Sequence, residues 1–114
     1  MDKMQSKEVK AGDISADNLL VKNKNDNIDD TFCYQLFEEN YFDTDKLQHL
    51  INFVSAKKLD RNEADILQWI IEGVDNCFIY HQDDNDYYRI TNYSKAIEYA
   101  WNKHWRAELK ASLP

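Results

Sequence analysis

The stretch that decides the fold is residues 44–74, TDKLQHLINFVSAKKLDRNEADILQWIIEGV. Its apolar residues recur every three or four positions, which is the spacing of one helix face. In a first helix, predicted to begin at Thr44, the pattern falls on Leu47, Leu50, Ile51 and Val54. Asp60, followed three residues later by Glu63, resembles a capping box and starts a second helix that we expect to run to about Val74. The stretch therefore predicts an α-helical core.

Helices are also predicted on both sides of this stretch. The segment TFCYQLFEENYF, which follows Asp29 and Asp30, has helical apolar spacing. The segment Tyr93–Lys110 repeats apolar residues at steps of four, at Ile97, Trp101, Trp105 and Leu109. We predict a mainly α fold, a small single-domain bundle of four to five short helices that forms an acidic helical domain over residues 28–114.

The segment NCFIYHQDDNDYYRIT allows two interpretations. Its aromatic and β-branched residues on both sides of a polar QDDND predict a β-hairpin at 77–91. Alternatively, Asp83 caps a short helix that runs through Ile90, and Phe78 and Ile79 lie in the core as a linker. We favour the helix, because a two-stranded ribbon alone is only marginally stable.

Residues 1–27 differ in composition from the rest of the chain. They are rich in Lys, Asn, Asp and Ser and hold little apolar material beyond Leu19, Leu20 and Val21. Because such a segment has almost no apolar surface to bury, we expect a mobile N-terminal arm whose removal through residue 24 costs little stability.

The sequence points to a cytoplasmic protein. No apolar run approaches the roughly 18 residues of a membrane span, and the amino terminus lacks the apolar stretch of a signal peptide. Cys33 and Cys77 stand among apolar neighbours without a CxxC pair, which favours buried free thiols in a reducing compartment over a disulfide. We expect no contact with a membrane.

The charge distribution carries the strongest functional signal. Between Asp26 and Asp86 there are 15 acidic and 4 basic residues, and the whole chain has a net charge of −7. An acidic surface repels nucleic acid and attracts basic clefts. We therefore expect no direct binding to nucleic acid, and a partner that is a basic nucleic-acid-binding protein or complex.

The motifs of common catalytic and cofactor sites are absent from the sequence. Gly12 and Gly73 stand alone, so no glycine-rich phosphate loop can form. Cys77 and His81 have the spacing of half a zinc site but lack a second close pair, and the acidic run from Asp83 lacks the pattern of a calcium loop. We expect a protein that is not an enzyme, with no catalytic residues, no cofactor and no metal.

The candidate partner-binding residues are the acidic residues of two clusters, together with tyrosines beside them. Carboxylates steer a basic partner, and exposed tyrosines supply the anchors that make binding specific. The candidates are Glu38, Glu39, Asp43, Asp45, Asp83, Asp84, Asp86, Tyr41, Tyr87 and Tyr88.

Residues 70–80, IIEGVDNCFIY, followed by an acidic helix and Tyr93, resemble the Ocr-like antirestriction and anti-CRISPR DNA-mimic proteins of phages. The resemblance covers about residues 64–100. It implies a non-enzymatic inhibitor that occupies a DNA-binding or other basic cleft of a bacterial defence complex, in the host-cell cytoplasm. The basic residues near the carboxyl terminus, Lys103, Arg106 and Lys110, depart from the family's strong acidity. They favour inhibition of one basic cleft over mimicry of a long duplex.

Two other functions fit the same residues. An immunity protein that neutralises a basic nuclease toxin needs the same acidity and the same lack of catalytic groups. A small helical regulatory or assembly subunit with incidental acidity is the other alternative. The sequence also leaves open whether the chain forms a homodimer.

Overall fold

The computed structural model describes residues 18–114, which form five helices and contain no β-strand. The first four are α1 (Leu19–Lys24), α2 (Phe32–Glu39), α3 (Thr44–Ser55) and α4 (Arg61–Gln82). The fifth is continuous but changes its winding, from α5 (Lys95–Ala100) through a π-helical segment (Trp101–Trp105) to α6 (Arg106–Lys110). The mainly α, single-domain prediction is confirmed.

The helices begin where side chains satisfy their free amide groups. Thr31, Asp43 and Ser94 each accept a hydrogen bond from the backbone N–H three residues ahead, at the starts of α2, α3 and α5. Asp60 and Glu63 form both hydrogen bonds of a capping box at the start of α4, as the sequence predicts.

Helix α4 is eight residues longer than the sequence predicts. We expected it to end at Val74, but it continues to Gln82 because Cys77 and Phe78 keep the buried face apolar three and four residues beyond Val74. Phe78 lies in the core as expected, whereas Ile79 is 61 % exposed, so its predicted burial was wrong.

The segment that follows α4 is neither a helix nor a hairpin. Within the described chain, residues 83–94 form turns, so the short helix from Asp83 to Ile90 and the alternative hairpin were both wrong. The Asp83 side chain accepts from the Asn85 N–H at 2.9 Å, and the Asp86 side chain accepts from the Tyr88 N–H at 2.8 Å. These local hydrogen bonds compete with helix formation.

The prediction of a mobile arm was wrong for residues 18–27, and residues 1–17 lie outside the described part of the chain. Leu20 of α1 is fully buried in the core. Asn23 is buried as well, and its side-chain oxygen accepts a hydrogen bond of 2.9 Å from the Cys33 N–H in the first turn of α2. Helix α1 therefore belongs to the domain.

Phe42, in the loop between α2 and α3, lies at the centre of the aromatic core. Its ring contacts Phe32 edge-on at 5.3 Å and stacks on Trp105 at 5.8 Å between centroids. Phe78 of α4 lies 5.8 Å from the same ring. Phe42 thus joins α2, α4 and the C-terminal helix, and it fixes the position of its own loop.

The π-helical segment joins the C-terminal helix to α4 through Asp75. The Arg106 N–H bonds to the Trp101 carbonyl, five residues back, which defines the π turn. Residues five apart on an α-helix point about 140° away from each other, and the wider turn reduces that angle. Asp75 accepts from Trp101 Nε1 at 2.8 Å and from Arg106 Nε at 3.1 and 3.0 Å.

Candidate functional site

Two loops that are far apart in the sequence lie side by side at one end of the molecule. Asn40 donates through Nδ2 to the Arg89 carbonyl at 3.0 Å, and its own carbonyl accepts from the Thr91 N–H at 2.7 Å. Asn92 exchanges two hydrogen bonds of 2.8 Å with the backbone of Phe42. Asn40 has a φ of 61°, a left-handed conformation that asparagine tolerates well.

This pairing joins the two chain segments that carry the acidic clusters singled out by the sequence. The first cluster spans the end of α2 and the start of α3, and the second follows the end of α4. We call the two clusters together the acidic end, and they consist of Glu38, Glu39, Asp43, Asp45, Asp83, Asp84 and Asp86.

The carboxylates of the acidic end differ in what they do for the fold. Asp43 caps α3, and, as described above, Asp83 and Asp86 stabilise turns. In contrast, Glu38, Glu39 and Asp84 are exposed and have no side-chain hydrogen bond or ion pair within residues 18–114. Asp45 is exposed without such a partner as well, but it lies in the first turn of α3, where a carboxylate favours the helix.

The acidic residues at two helix ends oppose the helix dipoles. Glu38 and Glu39 form the last turn of α2, and Asp83 and Asp84 directly follow α4. A helix carries partial negative charge at its C-terminus, where an acidic side chain is unfavourable by about 0.3–1 kcal/mol. Asp83 stabilises a turn, but local stability does not explain Glu38, Glu39 or Asp84. The helix dipoles add to the negative potential around these residues.

Arg89 is the cation of this surface that sequence reasoning missed. Its Nη1 donates to the carbonyls of Asp86 at 2.7 Å and Tyr88 at 2.6 Å, and its Nη2 donates to the carbonyl of Asp83 at 3.2 Å. The guanidinium thus holds the 83–88 turn in shape and lowers the net negative charge of the acidic end by one.

The three candidate tyrosines are not equivalent. Tyr87 is fully exposed and Tyr41 is exposed by 44 %. Tyr88, which we expected to be an exposed anchor, is half-buried, because its hydroxyl donates to the Leu36 carbonyl and its ring packs against the core. Burial and a hydrogen bond with Cys77 raise the pKa of Tyr88 far above its ordinary value.

Two acidic residues that the composition assigns to the surface belong instead to the fold. Asp75 pairs with Arg106, with Nη2 and Oδ2 3.0 Å apart. Glu63 is buried and accepts from Lys57, from the Asp60 N–H and from Asn18. Burial raises the pKa of Glu63, but these hydrogen bonds outweigh it and hold the pKa below its ordinary value.

Both thiols of the chain are enclosed by the fold, and one histidine ring is held by a backbone hydrogen bond. Cys33 and Cys77 are buried free thiols, and burial raises the pKa of Cys77 to about 11, so the thiol keeps its proton at neutral pH. The Nδ1 of His81 accepts from the Ile90 N–H at 2.9 Å. Across residues 18–114, no three His, Cys, Asp or Glu side chains are placed to hold a metal ion.

No helix in the described chain combines the length and the apolar composition needed to cross a bilayer. No family model, curated protein or solved structure matches this chain.

Proposed function

We propose that the protein is a non-enzymatic inhibitor whose acidic end occupies a DNA-binding or other basic cleft of a bacterial defence complex. The partner is a restriction or CRISPR effector, and the protein competes with its DNA. The resemblance of residues 64–100 to phage DNA-mimic proteins supports this class of partner.

One observation carries the proposal. The segments that carry Glu38, Glu39 and Asp84 are far apart in the chain but are joined by the hydrogen bond from Asn40 to the Arg89 carbonyl. These acidic residues also stand at unfavourable positions, at or just after the C-termini of α2 and α4. Charges placed against local stability favour a role outside the fold. Such a cluster attracts a basic cleft and speeds the encounter with it.

The carboxylates that are engaged in the fold limit the length of the acidic surface. Because Glu63 and Asp75 are held within the fold, the carboxylates do not form one continuous strip along the molecule. We therefore propose a local contact with a single basic cleft and not the imitation of a long duplex.

The proposal is tested with isolated effector complexes and their DNA. We expect the protein to inhibit DNA binding by at least one restriction or CRISPR effector, and excess DNA to relieve the inhibition. Tight binding to an effector that leaves its DNA occupancy unchanged would contradict competition for the cleft.

The same assay distinguishes the proposed function from the alternative, immunity to a nuclease toxin. A panel of isolated basic nuclease domains from bacterial toxins is measured beside the effectors. Inhibition of a toxin nuclease, with no effect on any effector, would assign the acidic end to immunity instead of counter-defence.

A further inference from the structure

An open groove lined by aromatic side chains runs along α4 on the side that faces α2. Trp69, Gly73 and Tyr80 share one face of α4, and Phe37 of α2 and Tyr88 of the 83–94 segment form the opposite wall. We call this surface the aromatic groove. Trp69 is 37 % exposed and Tyr80 is 44 % exposed, so the groove presents large aromatic surface to solvent. Contiguous exposed apolar surface of this kind marks interaction sites.

The floor of the groove depends on Gly73. A glycine inside a helix costs about 1 kcal/mol relative to alanine. Here the ring of Phe37 lies against the glycine, since a Cβ at position 73 would come within 2.7 Å of Phe37 Cζ. The same ring meets Trp69 edge-on, with centroids 5.6 Å apart at 90°.

At the opposite end of the groove, contacts within the fold fix the position of the Tyr88 ring. The hydroxyl of Tyr88 is fixed on the Leu36 carbonyl, and the Tyr88 ring meets that of Tyr80 edge-on, with centroids 6.4 Å apart. The aromatic walls are therefore in place before a partner binds, which reduces the entropy lost on binding.

The contacts around Trp69 indicate what the groove binds. The Nζ of Lys24 lies 3.9 Å from the centroid of the Trp69 ring, so this ring already takes part in one cation–π contact. Lys24 occupies a depression that Asp26 and Glu38 also line. The adjoining depression toward Tyr80 shares the Phe37 and Trp69 walls, and no charged side chain of the described chain lines it.

The size of this second depression fits a side chain. It encloses about 260 Å³, below the roughly 300–1,000 Å³ of pockets for small molecules. A guanidinium is planar and stacks on aromatic rings, which an ammonium does less well. Glu38 lines the neighbouring Lys24 depression, which shares the Phe37 and Trp69 walls, so a carboxylate of the acidic end stands beside the groove.

We infer that the aromatic groove binds an arginine side chain of the basic partner, against the aromatic rings that line it. This inference rests on the proposed function: the acidic end attracts the basic surface, and the groove supplies the buried contact that makes binding specific. Arginine and aromatic residues are the side chains that most often dominate the binding energy of interfaces.

The test uses the full chain labelled with ¹⁵N and a short acetylated peptide of alternating alanine and arginine. We expect the peptide to shift the indole N–H of Trp69 and the amides of Gly73 and Tyr80. A matched peptide with citrulline keeps the shape of arginine but lacks its charge. It should bind about two- to fivefold more weakly, the range expected for an exposed cation–π contact.

Matched variants locate the contact. W69L should weaken binding of the arginine peptide, whereas Y99L, which removes an exposed tyrosine from α5, should not. G73A keeps every aromatic side chain but displaces the ring of Phe37, and it should weaken binding as well. G73A also keeps the test decisive if W69L does not fold, since alanine favours the helix.

Two outcomes would overturn the inference. One is equal binding of the arginine and citrulline peptides, and the other is a set of shifts confined to residues 83–86 with Trp69 unchanged. If G73A and W69L inhibit an effector as well as the natural chain does, while neutralising the acidic end abolishes inhibition, the inference fails and the proposed function stands. If the peptide fills the groove but neutralising the acidic end leaves inhibition unchanged, the proposed function fails instead.

Discussion

At the residue scale, the carboxylates of this chain fall into two sets that differ in their hydrogen-bond partners. Glu63 and Asp75 each accept several hydrogen bonds and lie opposite a cation. Glu38, Glu39 and Asp84 face solvent without such partners in the described residues. The first pair should matter for folding and the second set for binding, so substitutions at the two sets have separable effects.

Replacement of Asp75 tests whether the carboxylates with hydrogen-bond partners matter for folding. D75N removes the negative charge that pairs with Arg106 and an oxygen that can accept from Trp101. We expect the free energy of unfolding to fall by about 1–2 kcal/mol. The partial exposure of the pair keeps this loss small. Urea titration measures the loss. The control D84N changes an exposed acid and should stay within about 0.5 kcal/mol. Equal stability of both variants would contradict a structural role for Asp75.

The lowered pKa of Glu63 predicts that its contribution to stability is lost at acid pH. Because its pKa is held below the ordinary value of 4.5 in the folded state, its stabilisation is complete above that value and is lost as pH falls through the folded pKa. E63Q should cost about 1–3 kcal/mol at pH 7. The difference from the natural chain should shrink below about pH 4.

Urea titrations across this pH range check the Glu63 prediction. E72Q, an exposed change on the same helix, serves as the control and should show almost no difference at any pH. A gap between E63Q and the natural chain that widens toward acid would contradict the assigned pKa direction.

At the element scale, α1 shows how a helix with little apolar content becomes part of a domain. Leu20 contributes a fully buried side chain, and Asn23 satisfies a backbone N–H at the start of α2. L20A should therefore lower the free energy of unfolding by about 2–4 kcal/mol. The exposed change D26A should cost less than about 0.5 kcal/mol. A denaturant titration that found L20A as stable as D26A would support the original expectation of a mobile arm.

Those parts of the fold that depend on local signals could be predicted from the sequence. The capping box of Asp60 and Glu63 and the apolar spacing of α3 depend on neighbours in the chain, and both are found as predicted. The parts that depend on distant partners could not. Helix α1 is stabilised by the core around Leu20, and the π turn by Asp75 on another helix.

The same distinction holds for the candidate site. Composition located the two acidic clusters, but only the contacts of Asn40 and Asn92 with the facing loop show that their chain segments are neighbours. The position of Arg89 beside the 83–88 turn could not be predicted, because its guanidinium binds backbone carbonyls. Exposure of Tyr88 was misjudged for a related reason, since its partner, the Leu36 carbonyl, lies 52 residues away in the chain.

At the scale of the whole molecule, α4 separates two chemically different ends. Its 22 residues span about 33 Å. Glu63 and its partners lie at the start of this helix, Glu38 lines a depression beside Trp69 in its first half, and Asp83 and Asp84 follow its last residue. Because the helix is longer than the Debye length of about 8 Å at physiological salt, Glu63 and Asp84 should act independently on a partner.

The central claim, that the acidic end binds a basic DNA-binding cleft, is tested most directly by two triple variants with the same net charge. One neutralises the acidic end, with E38Q, E39Q and D84N. The other neutralises acids outside it, with D30N, D65N and E108Q. The affinity of each for an inhibited effector is measured by competition with DNA, from about 0.05 to 0.5 M salt.

We expect the first triple variant to bind more weakly and to show a flatter salt dependence, and the second to behave like the natural chain. Both should unfold at nearly the same urea concentration as the natural chain, since the replaced residues are exposed. Equal affinity and equal salt dependence of the two triple variants would contradict the account, because the partner would then respond only to net charge or to another surface.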